Sequence, residues 1–412
     1  MTSTVYIAKN VYGGDGLGRL GDGRVVFVPG AWAGEQVKAE ITVQKKNFVK
    51  AKLVEIIERS PERIDGGEFK NIPGCVYAEL SYEAELRAKL DQLKEFFHRA
   101  RLFDLEKITL EDVSTLPSAN YRNKVRYHFA KQNGQWVIGY RTEPSHEVVD
   151  VPYDPLAVKP INDKLGEIRS AVTKLLTQGP YHIRKDVERK GSVTIRWTER
   201  SGVKWWIGDA PKDSILKEIT RGLSFEVPAG GFYQVNPFVG AALVKAVIDE
   251  YKKDMISGAD ILDLYCGVGV FGLCALSNAD PSFSPRLTGV ESGREAILFA
   301  QKNAKALKLD ASFYAEEVVR VLKKIEISDR TTIIADPPRG GMEPGVALHL
   351  AKSRAPRIFY VSCDPATLTR DLKVICASYE VESVRLFNMF PRTARFETLV
   401  VLDRIAPAGE RK

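Results

Sequence analysis

At 412 residues the chain exceeds the length over which one hydrophobic core keeps growing, so it should divide into two or three domains. Its 60 Lys plus Arg against 53 Asp plus Glu leave a formal net charge of +7, a mild attraction for polyanions. No apolar run approaches the ~20 residues of a membrane span, and "MTSTVYIAKN" lacks the regions of a signal peptide, which predicts a cytoplasmic protein. The five cysteines, Cys75, Cys266, Cys274, Cys363 and Cys376, form no C-x-x-C pair, which argues against a disulfide framework or a structural zinc site.

Residues 1–58 alternate apolar and polar positions around Gly-rich turns, the pattern of short strands closing a small barrel. "SPERIDGGEFKNIPG" reads as a linker or loop. Ser81 can cap a helix over 81–102, on which Tyr82, Leu86, Leu90, Leu93 and Phe97 recur at helical spacing. The remainder of a central domain, 59–234, looks strand-rich. Its segment "YRNKVRYHFAKQNGQWVIGYR" holds five Lys or Arg, no Asp or Glu, and five aromatics, and Trp197, Trp205 and Trp206 lie in a second basic stretch. Two readings stay open for these aromatics: faces that stack on exposed bases, or sheet core beneath a solvated charged face. Beside a separate barrel, RNA is the preferred reading.

From residue 235 onward strand and helix patterns alternate, with Asn236 and Pro237 as a helix start, so 235–412 should be an α/β domain on a mainly parallel sheet. Ligands of such sheets bind outside the carboxyl ends of the strands. Those ends carry "DLYCGVGVFGL" with Gly267, Gly269 and Gly272, then Glu291 of "GVE", Glu317, Asp336 of "DPPRGG" and Cys363 of "VSCDP". The glycine loop permits close backbone approach to a nucleotide-type ligand but does not name it.

In these motifs and their order the chain resembles the S-adenosylmethionine-dependent RNA (uracil-5-)-methyltransferases, particularly the branch acting on 23S ribosomal RNA. "GFYQVNP", "DLYCGVGVFGL", "GVE", "DPPRGG", "VSCDPATLTRDL" and "FPRTARFETLVVL" follow in the family's order, and "GDGLGRL" with "GRVVFVPGAWAGEQV" resembles its N-terminal TRAM domain. The resemblance implies a Rossmann-like class I methyltransferase domain behind a TRAM/OB-like barrel and a central domain. It implies that Gln234, Tyr265, Gly267, Gly269, Glu291, Glu317 and Asp336 bind S-adenosylmethionine, that Cys363 is the nucleophile, and that Glu397 is the base. Val270 stands where some members have an asparagine, and Arg392 and Arg395 where the family has histidines; the arginines are expected near the RNA backbone. Many ribosomal members hold an iron–sulfur cluster through four cysteines. Here Ile72 and Gly66 stand at two of those positions and only Cys75 remains, so no cluster is expected.

The chemistry fits these roles. Carbon 5 of uracil is too weak a nucleophile to attack a methyl sulfonium, so a thiolate must first add at carbon 6. Cys363 precedes Asp364 and Pro365, a natural helix start whose positive end should favour a thiolate. Glu397 shares a strand face with Leu399 and Val401, either as a solvated strand start or as a buried acid. An NAD-dependent dehydrogenase would explain the glycines and Glu291 but leave Cys363, Glu397 and the basic stretches without a task. A non-catalytic RNA-binding protein could dispense with the cofactor loop, and an RNA cytosine methyltransferase would place a second cysteine in the "DPPRGG" motif. A monomer acting on 23S ribosomal RNA is the expectation, with the T-loop uridine of transfer RNA as the alternative.

Overall fold

The computed structural model describes residues 2–102, 105–111, 116–143, 145–253 and 260–405. The N-terminal strands β1 (Thr2–Asn10), β2 (Gly16–Arg19), β3 (Val25–Val28), β4 (Gln36–Gln44) and β5 (Phe48–Glu58) form a closed barrel in the order β1-β2-β3-β5-β4. Alternate residues Val5 and Ile7, Val26 and Val28, Val37 and Ala39 point inward and close its core. The expected linker is folded: Arg63 donates from Nε to Glu35 at 2.7 Å and from Nη2 to the Gly30 carbonyl at 2.6 Å, and so pins the segment beneath the barrel.

Helix α1 (Tyr82–Ala100) starts at Ser81, whose hydroxyl accepts from the Ala84 amide. Its inner face carries Leu93 and Phe97 as the spacing predicts, but also the fully buried Glu85 and Lys89. Strand β6 (Ile108–Leu110) follows. Beyond it, β7 (Lys124–Gln132), β8 (Gln135–Arg141), β9 (Val148–Asp150), α2 (Lys159–Gln178), α3 (Tyr181–Lys190), β10 (Ser192–Thr198) and β11 (Gly202–Ile207) build a five-stranded sheet ordered β11-β10-β7-β8-β9 and covered by helix. The strand-rich reading of this region missed α2 and α3. On α2 the residues Ile161, Leu165, Ile168, Val172 and Leu176 recur at helical spacing and are buried, a period that was legible in the sequence. A hairpin of β12 (Ile215–Thr220) and β13 (Leu223–Pro228) leads out.

The C-terminal part begins with α4 (Pro237–Lys253), capped by Asn236 through the Val239 amide at 3.2 Å. It continues as β14 (Asp260–Leu264), α5 (Val270–Ser277), β15 (Leu287–Glu291), α6 (Arg294–Leu307), β16 (Ala311–Ala315), α7 (Val318–Leu322), β17 (Thr331–Ala335), α8 (Val346–Lys352), β18 (Arg357–Ser362), α9 (Pro365–Ile375), β19 (Tyr379–Phe387) and β20 (Glu397–Arg404). The sheet order is β16-β15-β14-β17-β18-β20-β19-β6. The central strands are largely apolar because helices cover both faces. Ile261, Ile334, Phe359, Val361, Leu399 and Val401 pack with α4, α5 and α6, whereas Leu262, Ile333, Tyr360 and Val400 pack with α8, α9 and α1. Thus α1 and β6, which lie within 59–234, contribute to the core and edge of the C-terminal sheet.

Candidate active site

The sheet order lines up the predicted residues along one edge. β16 ends before Glu317, β15 ends in Glu291, β14 runs into the loop of Tyr265 and Gly267, β17 runs into Asp336, and β18 into Cys363. β20 is antiparallel to β18, with Thr398 opposite Ser362, so its first residue, Glu397, reaches the same edge beside Cys363. Sequence distance is irrelevant here; strand order does the gathering.

A cleft at this edge is lined by Gln234, Tyr265, Gly267, Val270, Asp336 and Phe232, among others. At Gly267, φ is +54° and a Cβ would meet nothing within 4 Å, so the backbone faces open space there. Gly272 differs: a Cβ would lie 2.6 Å from Leu287 Cδ1 and 2.8 Å from Asp263 Oδ2, so this glycine serves the packing of α5 on the sheet. Tyr265 holds φ +63°, a conformation costing a side-chain-bearing residue about 1 kcal/mol or more, and its hydroxyl donates to Glu343 at 3.3 Å. Glu291 lies beyond this cleft's lining; its Oε1 accepts from the Gly293 amide at 2.7 Å and from Ser292 Oγ at 3.2 Å. Glu317 is exposed, paired with Arg320 at 2.8 Å. Open space at Gly267 permits close approach of a ligand, and Gln234 and Asp336 in the cleft lining offer a donor and an acceptor of the kind S-adenosylmethionine requires.

On the chemical side, Cys363 is partly buried, and Ser362 and Asp364 fix its turn: the Asp364 amide donates to Ser362 Oγ at 3.2 Å. Asp364 Oδ1 accepts from the amides of Ala366 and Thr367 at 3.0 and 3.1 Å and caps α9. The expectation of a ready thiolate is overturned. Burial, with Glu397 and Asp336 adding to it, pushes the Cys363 thiol up to about 12, and Arg339 opposes the shift. The helix terminus that should have favoured the anion already serves Asp364. Glu397 is 5% exposed, and burial followed by the nearby Asp336 holds its carboxyl well above the usual range, again against Arg339. Burial alone raises Asp336 to about 7. The thiol and the Glu397 carboxyl thus share one arginine, with the buried Asp336 beside them.

From the sequence Arg339 had no task; its place three residues after Asp336 in "DPPRGG" was the available signal. Asp263 was also missed. It lies inside β14, is 1% exposed, accepts from the Gly272 amide at 2.8 Å through Oδ2, and is raised to about 7 by burial. An acid flanked by Leu262 and Leu264 in an apolar strand was its signal.

The two arginines differ in their surroundings. Arg392 donates from Nη1 to the Leu80 carbonyl at 2.8 Å and lies against the rings of Phe69 and Tyr82 at 5.5 and 5.6 Å, so it is a structural clamp on the start of α1. Arg395 is half-exposed and bonds Tyr12. The basic stretch at 121–141 also resolves differently. Tyr121, Tyr127 and Phe129 are buried in the central sheet, with the Tyr127 and Tyr140 hydroxyls donating to Asp154 at 2.8 and 2.7 Å, so they stack on no base. Arg126 and Arg141 alternate outward and are exposed, and Lys131, on the inward-facing parity of β7, is exposed at the end of that strand. Trp205, at 38% exposure, keeps an accessible face. Cys75 is buried in the central core, its thiol raised to about 12 by burial, and among the described residues no cluster of three His, Cys, Asp or Glu forms a metal site. Among the described residues no helix is long and apolar enough to cross a membrane.

A fold of this kind, with a Rossmann-like sheet whose edge joins a cleft, a thiol and a buried acid, defines a class I methyltransferase architecture behind a small barrel. Comparison with known proteins agrees. Residues 212–405 match the tRNA (uracil-5-)-methyltransferase family, and residues 2–54 match the TRAM domain. An RNA methyltransferase of Thermotoga maritima is 30% identical over 98% of this chain and 99% of its own, and one of Listeria innocua is 28% identical over 94% of each. The crystal structure of Pyrococcus abyssi tRNA (uracil-54, C5)-methyltransferase in complex with S-adenosyl-L-homocysteine aligns at a TM-score of 0.73 with 21% identity, covering 97% of this chain and all of that one. The chain belongs to the RNA (uracil-5-)-methyltransferase family and is an S-adenosylmethionine-dependent RNA methyltransferase.

Proposed function

We propose that the protein methylates carbon 5 of one uridine in 23S ribosomal RNA through a covalent Cys363 adduct. The observation that carries this reading is the meeting of Cys363 and Glu397 across β18 and β20, next to the cleft of Asp336 and Gly267. Gln234, Tyr265, Gly267, Gly269, Glu291, Glu317 and Asp336 would hold S-adenosylmethionine, which when bound supplies an electrophilic methyl group and a positive charge. Cys363 Sγ would pass its proton to solvent and bond carbon 6 of the flipped base, leaving an enolate whose carbon 5 would take the methyl group and release neutral S-adenosylhomocysteine. Glu397, whose raised proton affinity suits it to the task once it is ionised, would then take the carbon 5 proton, and the carbon–sulfur bond would break to restore the ring and release Cys363 as a thiolate that is reprotonated from solvent.

A raised thiol is consistent with this order. Burial first, and Glu397 and Asp336 after it, disfavour the Cys363 anion while Arg339 opposes them, so a cation bound beside Cys363 would favour the thiolate. We propose no iron–sulfur cluster, since Cys75 is a packed thiol. The barrel and the exposed Arg126, Lys131 and Arg141 supply a basic surface for RNA phosphates. The name of the Pyrococcus abyssi structure favours transfer RNA as a second reading.

Mapping 5-methyluridine by mass spectrometry in 23S and transfer RNA from a deletion strain decides between them: a site lost from 23S RNA is expected, and loss only from transfer RNA overturns the target. Cys363→Ala should bind RNA and cofactor yet neither methylate nor form an adduct. Glu397→Gln should accumulate a methylated adduct that survives denaturing electrophoresis. Methylation by Cys363→Ala would refute the covalent mechanism.

A further inference from the structure

The barrel reaches the catalytic edge. Tyr12, between β1 and β2, meets Phe96 of α1 edge-on at 5.5 Å and Phe396, the residue before Glu397, at 5.7 Å. Its hydroxyl accepts from Arg395 Nη1 at 2.7 Å, and the guanidinium carbon lies 5.5 Å from its ring centroid. The same Nη1 is 3.5 Å from Asp364 Oδ2, the cap of α9 that directly follows Cys363. One guanidinium thus joins three segments: the barrel turn, the lead into β20, and the turn carrying the thiol. The Arg395–Asp364 pair is 41% and 20% exposed, and an ion pair so placed holds little by itself. The Tyr12 hydroxyl supplies its second fixed anchor. Electrostatics place Tyr12 in the same neighbourhood: burial raises its hydroxyl and Arg395 lowers it, while Asp364 and Cys363 add smaller upward pushes.

We propose that Tyr12 is a positioning residue of the methyl-transfer site, holding Arg395 against Asp364 so that the seating of the N-terminal barrel sets the alignment of Cys363 with Glu397. The proposal rests on the assignment of those two residues above. It makes the barrel part of the catalytic geometry as well as a grip on RNA. Small displacements of reacting groups cost rate steeply, so the effect should fall on turnover.

The test uses the full chain as wild type, Tyr12→Phe, Arg395→Gln, the double variant and Cys363→Ala, with a 23S RNA transcript and radiolabelled S-adenosylmethionine. Tyr12→Phe keeps both aromatic contacts and removes only the hydroxyl. Loss of one charge-assisted hydrogen bond should lower kcat about tenfold, with KM for the transcript within about twofold. Acting through Arg395 requires the double variant to be no slower than Arg395→Gln. The same slowing should appear in adduct formation with a 5-fluorouridine transcript, in which fluorine blocks the final proton removal. Wild-type kcat in Tyr12→Phe, a change confined to KM, or independent losses that multiply in the double variant would each overturn the proposal. If Cys363→Ala still methylates, the underlying mechanism fails; if it is inactive while Tyr12→Phe is unimpaired, only the role of Tyr12 fails.

Discussion

If Asp336 binds S-adenosylmethionine as proposed, its burial should make that binding depend on pH. Burial lifts its carboxyl to about 7, so in the free protein it ionises only from neutrality upward. A ligand that is cationic or donates hydrogen bonds requires the carboxylate, so binding pulls the proton off. With a free-state value near 7, the ionised fraction is ~3% at pH 5.5, half at pH 7 and nearly complete at pH 8.5. The affinity for S-adenosylmethionine should therefore rise ~16-fold between pH 5.5 and 7, then only ~twofold more. Titration calorimetry across that range, in buffers of different ionisation enthalpy, should show close to one proton released per ligand at pH 5.5 and almost none at pH 8.5. Asp336→Asn should weaken binding at pH 8.5 by about 10- to 100-fold, as for a lost charge-assisted hydrogen bond, and flatten the pH profile. A wild-type Kd constant over this range, or the same slope in Asp336→Asn, would refute the reasoning; the latter would move the titration to Glu397.

The two glycines of the loop should separate in their effects. Gly272→Ala forces a Cβ against Leu287 and Asp263 and should cost about 1–3 kcal/mol in denaturant unfolding, whereas Gly267→Ala should leave stability within about 1 kcal/mol and weaken cofactor binding; the opposite pattern would be wrong for this packing. Asp263, raised to about 7, contributes stability that is present below its unfolded value near 4 and lost as pH rises through about 7, an upper bound of about 4 kcal/mol, so Asp263→Asn should gain on wild type between pH 5 and 8 in paired urea titrations. Arg392→Ala should lower unfolding free energy by about 2 kcal/mol without changing the salt slope of RNA binding, while Arg126→Ala should reduce that slope by about one and leave stability unchanged; filter binding across a salt series measures both.

What could be read in the sequence were features with local causes. The barrel strands, the caps at Ser81 and Asn236, the apolar strands of the last domain and the face shared by Glu397, Leu399 and Val401 follow from spacing and side-chain type, because period, capping and turn chemistry act over a few residues. The motif order also carried the family. Other features depended on neighbours far along the chain. The aromatics of 121–141 had two possible faces, and only the packing of α2 over β7 and β10 assigned Tyr121, Tyr127 and Phe129 to the core. Helix α1 looked like part of a central domain until β6 and α9 drew it onto the C-terminal sheet. The Cys363 thiol looked ready to ionise from its place before α9; the burial that raises it, and the acids Glu397 and Asp336 that add to it, come from other strands. Arg392 and Arg395 sit three residues apart in one turn, yet one clamps α1 and the other meets Tyr12 of the barrel. Charge, burial and partner choice are sums over three-dimensional neighbours, so the residues of the site were written in the sequence while their protonation, exposure and connections were decided by tertiary structure.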